Sequence, residues 1–495
     1  MIFRTRKNKL SIMKKSLFVG LLTFLIIGCS DFGDINVDPN NPSTVKTELL
    51  LTNSLTSISD VVGATTGTLY VQYISETQYT ESSRYQTSRF DFNGWYSGVL
   101  QDLQTIIDLN SNPETAPDVL SGGSNGNQLA VANIMQVYYY HLLTDRWGRI
   151  PYSEALKGNE NLTPAYDAQD AIYADMIQRL KDAVSAMDGG TGVRGDIIFG
   201  GDMDRWEEFA NTLRMRIALR MSEANAGTAQ TEFNAAVSAG VITSDVMYPY
   251  LSEAANENPW YSRFQTRTDY AISSTLADTM QSLNDMRLTV FANPAPDLDN
   301  GDGTVELSEI NGMPYGISNA GDITNASISF PGSAIGAGGP SVGQQDAPLP
   351  IFTVAEVNFA RAEAAARGWG GTAATFYNAG IDASWAQWGV DGDAAALTAY
   401  KADPAVAYNA ANWREQIGYQ KWIALFPQGY EAWSEWRRLG FPTLTPAPDP
   451  LNDSGLIPVR HAYPTSESDL NKENYDAAVA AQGPDELDTN LWWDQ

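Results

Sequence analysis

Apolar residues recur at helical spacing over most of the chain and predict a mainly α-helical protein. Residues 129–143 are apolar nearly all the way round, which is typical of a buried helix. Asp167 is a suitable N-cap for the following helix, and Gly189-Gly190 would end it. The apolar face of that helix consists of Ile172, Met176, Leu180, Val184 and Met187. A similar face, with Trp206, Phe209, Leu213 and Ile217, predicts a helix from about 204 to 223.

The same periodicity predicts further helices, and one long stretch lacks it. Helices are expected at about 47–62, 97–109, 353–366, 373–388 and 413–439. Residues 294–350 are rich in Gly, Ser, Asn and Pro, which predicts loops and short strands, and so long an irregular stretch inside a domain is usually functional. Residues 441–495 are Pro-rich and are expected to be irregular. We expect one domain over 46–495, built from degenerate tetratricopeptide-like helix pairs around the insert at 294–350.

The first apolar run predicts export rather than a membrane-spanning helix. Two lysines follow Met13, the run extends from Leu17 to Ile27, and the segment ends in Gly28-Cys29. This ending is similar to a bacterial lipobox, so we expect residues 1–28 to be a signal peptide and Cys29 to be acylated. Residues 29–45 would then be a polar tether. The alternative is an ordinary secretory signal with an unused thiol, and either Met1 or Met13 is the start.

Composition narrows the classes of ligand. The formal net charge is −28, which disfavours nucleic acid and anionic lipid as partners. Cys29 is the only cysteine, so no disulfide can form within the chain. The 13 Trp and 23 Tyr residues exceed ordinary packing needs and indicate ligand-binding surfaces.

Several segments, taken in order, resemble the SusD/RagB-like outer-membrane lipoproteins of Bacteroidetes. The resemblance implies tetratricopeptide-like helix pairs that carry an irregular ligand-binding face. It also implies a SusC-like TonB-dependent transporter as partner, over which the protein closes after capturing a glycan, or in some members a peptide. A β-glucan such as laminarin is a reasonable ligand for so acidic a protein. The matching segments are 142–156, 166–173, 196–220, 285–294, 354–368, 457–464 and 491–494.

Glycan capture needs exposed aromatic rings, because sugar rings present apolar C–H patches that stack on them. We therefore looked for aromatic residues in polar or glycine-rich loops. For each one, packing in the core is the alternative. The candidates are Trp95 and Tyr96 after a turn, Trp260 and Tyr261 after an Asn-Pro pair, Tyr79 and Tyr85 in a polar run with Arg84, and Tyr315 in the irregular insert.

An acidic segment at 297–309 is similar to a calcium-binding loop. Calcium prefers six to eight oxygen ligands from closely spaced carboxylates. The Asp302-Gly303 pair fits the fifth and sixth loop positions, and Glu309 fits the twelfth, but the first position falls on Leu298, which cannot bind the ion. We predict a structural calcium site, with an acidic surface turn as the alternative. Its ligands would be Asp297, Asp299, Asp302, Thr304 and Glu309.

No segment isolates a catalytic group, so we expect a binding protein and no enzyme. Serine chemistry would have only His141 and His461 as possible bases. A surface glycoside hydrolase would need two carboxylates across a cleft, and it remains an alternative. The helix that carries Arg214, Arg216 and Arg220 and the helix that carries Glu356 and Glu363 are expected to form ion pairs inside the bundle.

Overall fold

The computed structural model of the protein describes residues 45–337 and 343–495. The predicted signal peptide, Cys29 and nearly all of the predicted tether lie outside these residues. Within the described ranges, every helix is too short or too polar to cross a membrane.

Helices are the main secondary structure of the described residues, as the apolar pattern predicts. Short strands and short stretches of 3₁₀ or π-helix lie between them. The helices are α1 (Thr47–Thr56), α2 (Ser59–Val62), α3 (Thr66–Tyr70), α4 (Asn93–Trp95), α5 (Gln101–Ser111), α6 (Asn125–Trp147), α7 (Gln169–Ala186), α8 (Met203–Arg220), α9 (Ala226–Ala239), α10 (Pro259–Phe264), α11 (Ser274–Ser282), α12 (Leu288–Phe291), α13 (Val354–Ala366), α14 (Ala373–Gln387), α15 (Ala394–Ala402), α16 (Trp413–Ala424), α17 (Gly429–Leu439), α18 (Thr465–Leu470) and α19 (Lys472–Gln482).

Consecutive helices pack on one another and form the scaffold. Helices α5 to α9 each contact the next along the chain, and α13 packs on α14 and on α16. Each helix buries its apolar face on its neighbours, as in tetratricopeptide-like arrays. Helix α6 is buried over nearly its whole length, as its all-round apolar pattern predicts. The predicted mainly α fold of helix pairs is confirmed.

Three two-stranded antiparallel sheets join segments that are distant in the chain. They pair β1 (Ile74–Glu76) with β5 (Tyr270–Ile272), β2 (Ile150–Pro151) with β3 (Tyr166–Asp167), and β4 (Val246–Tyr248) with β6 (Leu349–Phe352). The first of these sheets holds the polar loop after Glu76 beside the segment that precedes Tyr270. The described part of the insert at 294–350 is irregular, as predicted, with two 3₁₀ turns and strand β6 at its end.

Several local predictions are wrong. Asp167 is not an N-cap, because its carboxylate accepts bonds from the Ser153 amide and hydroxyl, and helix α7 begins after Ala168. The helix predicted for 413–439 is two helices, because Pro427 has no amide hydrogen to continue the first one. The C-terminal part, predicted to be irregular, contains α18 and α19.

A buried ion-pair network links helices from both halves of the chain. Arg216 pairs with Glu356, which confirms that these residues meet inside the bundle. Arg220 contacts the carboxylates of Asp145, Glu431 and Glu435, and Arg438 contacts those of Glu363 and Glu435. Burial by itself would raise the pKa of Glu435, but Arg438, Lys421 and Arg220 hold that pKa well below its usual range. Glu435 is therefore ionised at neutral pH and structural in role.

Candidate functional site

Four irregular segments meet on one surface, which we call the loop face: residues 77–90, 267–269, 316–327 and 447–456. The Thr77 hydroxyl donates to the Thr268 carbonyl over 2.6 Å, and the Asn325 amide donates to the Thr268 hydroxyl over 2.8 Å. The backbone amide of Leu451 donates to the Arg84 carbonyl over 2.6 Å. These bonds hold the loops together although the bonded residues are at least 57 positions apart in the sequence.

Tyr79 is the most exposed large aromatic side chain of the loop face, with 67% of its surface accessible. Its backbone has a positive φ of 55°, which only a minority of residues other than glycine adopt. The guanidinium of Arg267 lies 5.1 Å from the ring centroid, and Arg267 also pairs with Asp269 at 2.8 Å. One side of the ring is thus supported by a cation, and most of the rest faces solvent.

Other polar groups of the loop face bond to one another. Arg84 Nε donates to the Asp449 carbonyl over 2.7 Å, and the Ser318 hydroxyl donates to the Asp449 carboxylate over 2.6 Å. The Ser318 hydroxyl and amide bonds hold the pKa of Asp449 below its usual range, so this carboxylate is ionised at neutral pH and can accept hydrogen bonds. The loop face therefore offers an aromatic ring, two guanidinium groups and a carboxylate on one surface.

Tyr85 and Tyr315 lie beneath the loop face, and their rings are not exposed platforms. Tyr85 is fully buried and Tyr315 is 7% exposed, and their ring centroids are 6.4 Å apart. The Ala447 amide donates to the Tyr85 hydroxyl over 2.9 Å. Burial raises the pKa of Tyr85 to about 12. Burial contradicts a stacking role for both rings and makes them supports for the loops above.

Trp260 was expected to be exposed, and that expectation is wrong, because the Asn-Pro pair before it begins a helix. The Asn258 side chain accepts from the amides of Trp260 and Tyr261, and Pro259 occupies the first turn of α10. This geometry turns the Trp260 ring inward, where it is 1% exposed and contacts the guanidinium of Arg263 at 5.1 Å. Tyr261 is half-buried on the same helix.

Trp95 and Tyr96 lie at the start of the helix pair α5–α6 and are both half-buried. The Trp95 ring packs 5.5 Å from Tyr139 and 5.6 Å from the guanidinium of Arg146. The Tyr96 hydroxyl donates to the Pro151 carbonyl over 2.6 Å, and burial raises its pKa well above the usual range. Both rings contact the helical scaffold, and no contact in the described chain joins them to Tyr79 or Arg84.

The predicted calcium loop is closed by its own hydrogen bonds. The carboxylate of Glu309, which is buried, accepts from the amides of Asn300 at 2.9 Å and Glu306 at 3.0 Å. Asp302 accepts from the Thr304 amide and hydroxyl, which lowers the pKa of its carboxyl group. In the part of the chain that the structure describes, no three acidic, His or Cys side chains are arranged to hold a metal ion. Calcium binding by Asp297, Asp299, Asp302, Thr304 and Glu309 stays a prediction.

The two histidines lie inside the protein. His461 is fully buried among aromatic rings, and burial together with Arg146, Arg437 and Arg460 holds its pKa well below the usual range. Burial also lowers the pKa of His141, although the neighbouring carboxylate of Asp145 opposes that effect. His461 is 0% exposed, whereas His141 is 5% exposed and lines a pocket with Tyr138, Arg146 and Tyr430.

Local sequence reasoning missed Arg267, Ser318, Asn325 and Asp449, which complete the loop face. None lies at a helical or alternating position, and each is adjacent to the site only because distant loops meet. The one available signal was the exposed polar run that begins at Thr77, which predicted Tyr79 and Arg84 but not their partners.

The comparisons with known proteins agree with this architecture. The profile of a SusD-like family, described as starch-binding and associating with the outer membrane, matches residues 39–464. A solved chitin-binding protein is 28% identical, with a TM-score of 0.77, and the match covers 91% of this chain and 100% of that one. A chitin-binding SusD homologue from Flavobacterium johnsoniae is 25% identical, with a TM-score of 0.73 and coverage of 91% and 98%.

A SusD homologue from Bacteroides fragilis has the same fold at 22% identity, with a TM-score of 0.77 and coverage of 91% and 100%. No curated protein sequence matches the chain. The family profile spans most of the sequence, and the helical scaffold agrees with the solved SusD homologues. The chain therefore belongs to the SusD-like family of starch-binding proteins that associate with the outer membrane.

Proposed function

We propose that the protein captures oligosaccharides on its loop face and delivers them to a SusC-like TonB-dependent transporter. The observation that carries the binding proposal is the exposed ring of Tyr79, supported by Arg267 on a loop face that also carries Arg84 and Asp449. A sugar ring that stacks on Tyr79 would bury its apolar C–H face there. Its hydroxyl groups would reach Arg84, Asn325 and the Asp449 carboxylate.

The proposal leaves the class of glycan to be chosen among three candidates. Two solved structures similar to this chain are described as chitin-binding, and the family description names starch. Oligomers of N-acetylglucosamine are therefore the first probe and malto-oligosaccharides the second. Laminari-oligosaccharides test the β-glucan that the acidic composition suggested.

Isothermal titration of the mature protein against these three series tests the proposal. We expect one series to bind and Tyr79→Ala to weaken it roughly ten- to a hundredfold, because burying an aromatic side chain contributes about 1.5–3 kcal/mol. Tyr79→Phe keeps the ring and should bind nearly as well. Leu120→Ala, at an exposed position on another surface, is the matched control. If Tyr79→Ala binds the glycan with unchanged affinity, the loop face is not the binding site.

The same protein preparations also test two alternative functions, peptide binding and glycoside hydrolysis. Oligopeptides form a fourth series, and binding of peptides alone would favour the peptide-capturing branch of the family. Incubation of the protein with each polysaccharide tests for hydrolysis, and the appearance of new reducing ends would make it a glycoside hydrolase instead. We expect no new reducing ends, since both histidines are enclosed and the buried carboxylates Glu356, Glu363 and Glu435 are held in ion pairs.

Delivery to a transporter needs the protein to stay beside its partner at the cell surface. The family description places its members at the outer membrane, which supports this part of the proposal. Affinity purification from native outer membranes should recover a TonB-dependent barrel protein together with the chain. Recovery of the chain alone under mild detergent would argue against a stable complex.

A further inference from the structure

A second open cleft lies on the helical scaffold, apart from the loop face. Helices α5, α6 and α7 and the loop that follows Pro151 enclose it, with a volume of about 630 Å³. Sites for small molecules commonly measure about 300–1,000 Å³. Its floor is formed by Tyr140 and Gln136, which are both buried, and the half-buried ring of Tyr152 forms a wall.

Hydrogen-bonded polar side chains line one side of this helical cleft. Arg179 Nη2 donates to Asn133 Oδ1 over 3.0 Å and to Gln136 Oε1. Gln136 Nε2 in turn donates to Gln104 Oε1 over 3.2 Å. The guanidinium is therefore held by neutral amide oxygens instead of a carboxylate, and its orientation is fixed by two helices. Arg179 Nη1 donates in addition to the Tyr152 hydroxyl over 3.4 Å, so the guanidinium is also joined to the aromatic wall of the cleft.

The aromatic wall is also held in a defined orientation. The Tyr152 hydroxyl donates to Asp175 over 2.6 Å, and its ring packs edge-on to Tyr140 with centroids 4.6 Å apart. Asp175 is exposed and keeps acceptor positions for a ligand. A fixed tyrosine face beside amide, guanidinium and carboxylate groups is the combination that stacks a sugar ring and bonds its hydroxyls.

The charges of the helical cleft favour a neutral ligand. Lys157 and Arg179 contribute two positive charges, and Asp167 and Asp175 contribute two negative charges. A charged ligand would be repelled by one of the two pairs of like charges. A neutral polyhydroxylated molecule can donate hydrogen bonds to the carboxylates and accept them from the cationic groups. The cleft also lacks the broad apolar floor that a lipid tail would need, because Gln136 lies at its base.

We propose that the helical cleft is a second saccharide-binding site. It holds either the other end of the glycan bound at the loop face or a separate glycan chain. The proposal rests on glycans being the ligand of the protein, but not on the loop face being the site. Two sites on one molecule would raise the apparent affinity for long chains over short ones through effective concentration.

Variants on α7 test the proposal with chito-, malto- and laminari-oligosaccharides as probes. Arg179→Met removes the guanidinium and keeps much of the side-chain volume, and Asp175→Ala changes an exposed residue and should leave the fold intact. Gln178→Ala, between them on the exposed surface of the same helix, is the matched control. In the Tyr79→Ala background we expect residual glycan binding. Asp175→Ala and Arg179→Met should each weaken this residual binding at least tenfold, and Gln178→Ala should leave it unchanged.

Crystals soaked in the best-binding trisaccharide give a direct second measurement, with sugar density beside Tyr152 expected. Ordered water alone in the cleft, together with unchanged titrations of both α7 variants, would overturn the second site and leave the proposed function standing. Loss of binding in the α7 variants but not in Tyr79→Ala would support the helical cleft and contradict the loop face. Absence of binding to every glycan would overturn both.

Discussion

His461 is enclosed by aromatic rings rather than by hydrogen-bond partners. The centroids of Phe90, Trp147 and Trp433 lie 4.7, 5.1 and 5.3 Å from its own. Neither ring nitrogen has a partner in the described structure. The side chain acts there as a neutral aromatic ring, which is consistent with the direction of its pKa shift.

This environment predicts a specific loss of stability in mild acid. The folded-state pKa of His461 is lowered, so only the unfolded chain takes up a proton as the pH falls below about 6.5, and stability declines there. The contribution is about 1.4 kcal/mol between pH 7.5 and 5.5. His461→Phe should remove that part of the pH dependence while filling the same space. Urea unfolding of both proteins at the two pH values measures it, and parallel losses in both would contradict the assignment.

Individual residues also show why the predicted site was only partly right. Trp260 and Tyr79 both follow polar residues and look alike in the sequence. The Asn258 cap turns the Trp260 ring into the core, whereas the loop around Tyr79 leaves that ring outside. Side-chain direction in a loop depends on backbone geometry that no periodic pattern encodes, so Tyr79 was predicted with the same support as its buried neighbour Tyr85.

At the scale of elements, periodic helices could be predicted and their ends could not. The apolar faces of α6, α7 and α8 are long enough to identify them, and their positions are confirmed within a few residues. Helix α9 was missed because its many alanines give a weak apolar face, although Asn225 caps it. Asp167 was a plausible cap by type, but a cap needs a side chain facing its helix, and this one faces Ser153.

The acidic loop at 297–309 gives a prediction at the same scale. Calcium ligation would exchange some of the bonds between the loop amides and the carboxylates of Asp302 and Glu309 for bonds to the ion. We expect calcium, but not magnesium, to raise the free energy of unfolding, by about 2.7 kcal/mol at a hundredfold excess over the dissociation constant.

Thermal unfolding with added calcium, added magnesium or EDTA measures this effect, with Asp302→Ala as the variant that should abolish it. Asp322→Ala, an acidic residue on the neighbouring loop, is the control. Identical unfolding curves in all three solutions would leave the segment as a surface turn that is closed by its own hydrogen bonds.

At the scale of the molecule, the ion-pair network explains why the helices form one body. Glu435 on α17 contacts Arg220 on α8 and Lys421 on α16, and Arg438 contacts Glu363 on α13. Removing one member of a buried pair commonly costs about 3–5 kcal/mol, so these contacts fix the relative positions of helices far apart in sequence. The loop face and the helical cleft both border the same continuous hydrophobic core, which suits a protein that we propose to hold a ligand at two points.

In the proposed function, delivery of a glycan requires the scaffold to remain near the transporter, and the predicted acylation of Cys29 would keep it there. The predicted acylation would anchor the chain by several acyl chains, because a single chain gives only marginal membrane binding. In the native bacterium, Cys29→Ser should move the protein from the membrane fraction to the soluble fraction. Its glycan affinity in solution should stay unchanged, since both proposed sites lie at residue 77 and beyond. Growth on the bound glycan should fall because capture no longer occurs beside the barrel. A Cys29→Ser protein that stays in the membrane fraction would contradict the lipid anchor, whereas normal growth with a released protein would contradict the need for tethering.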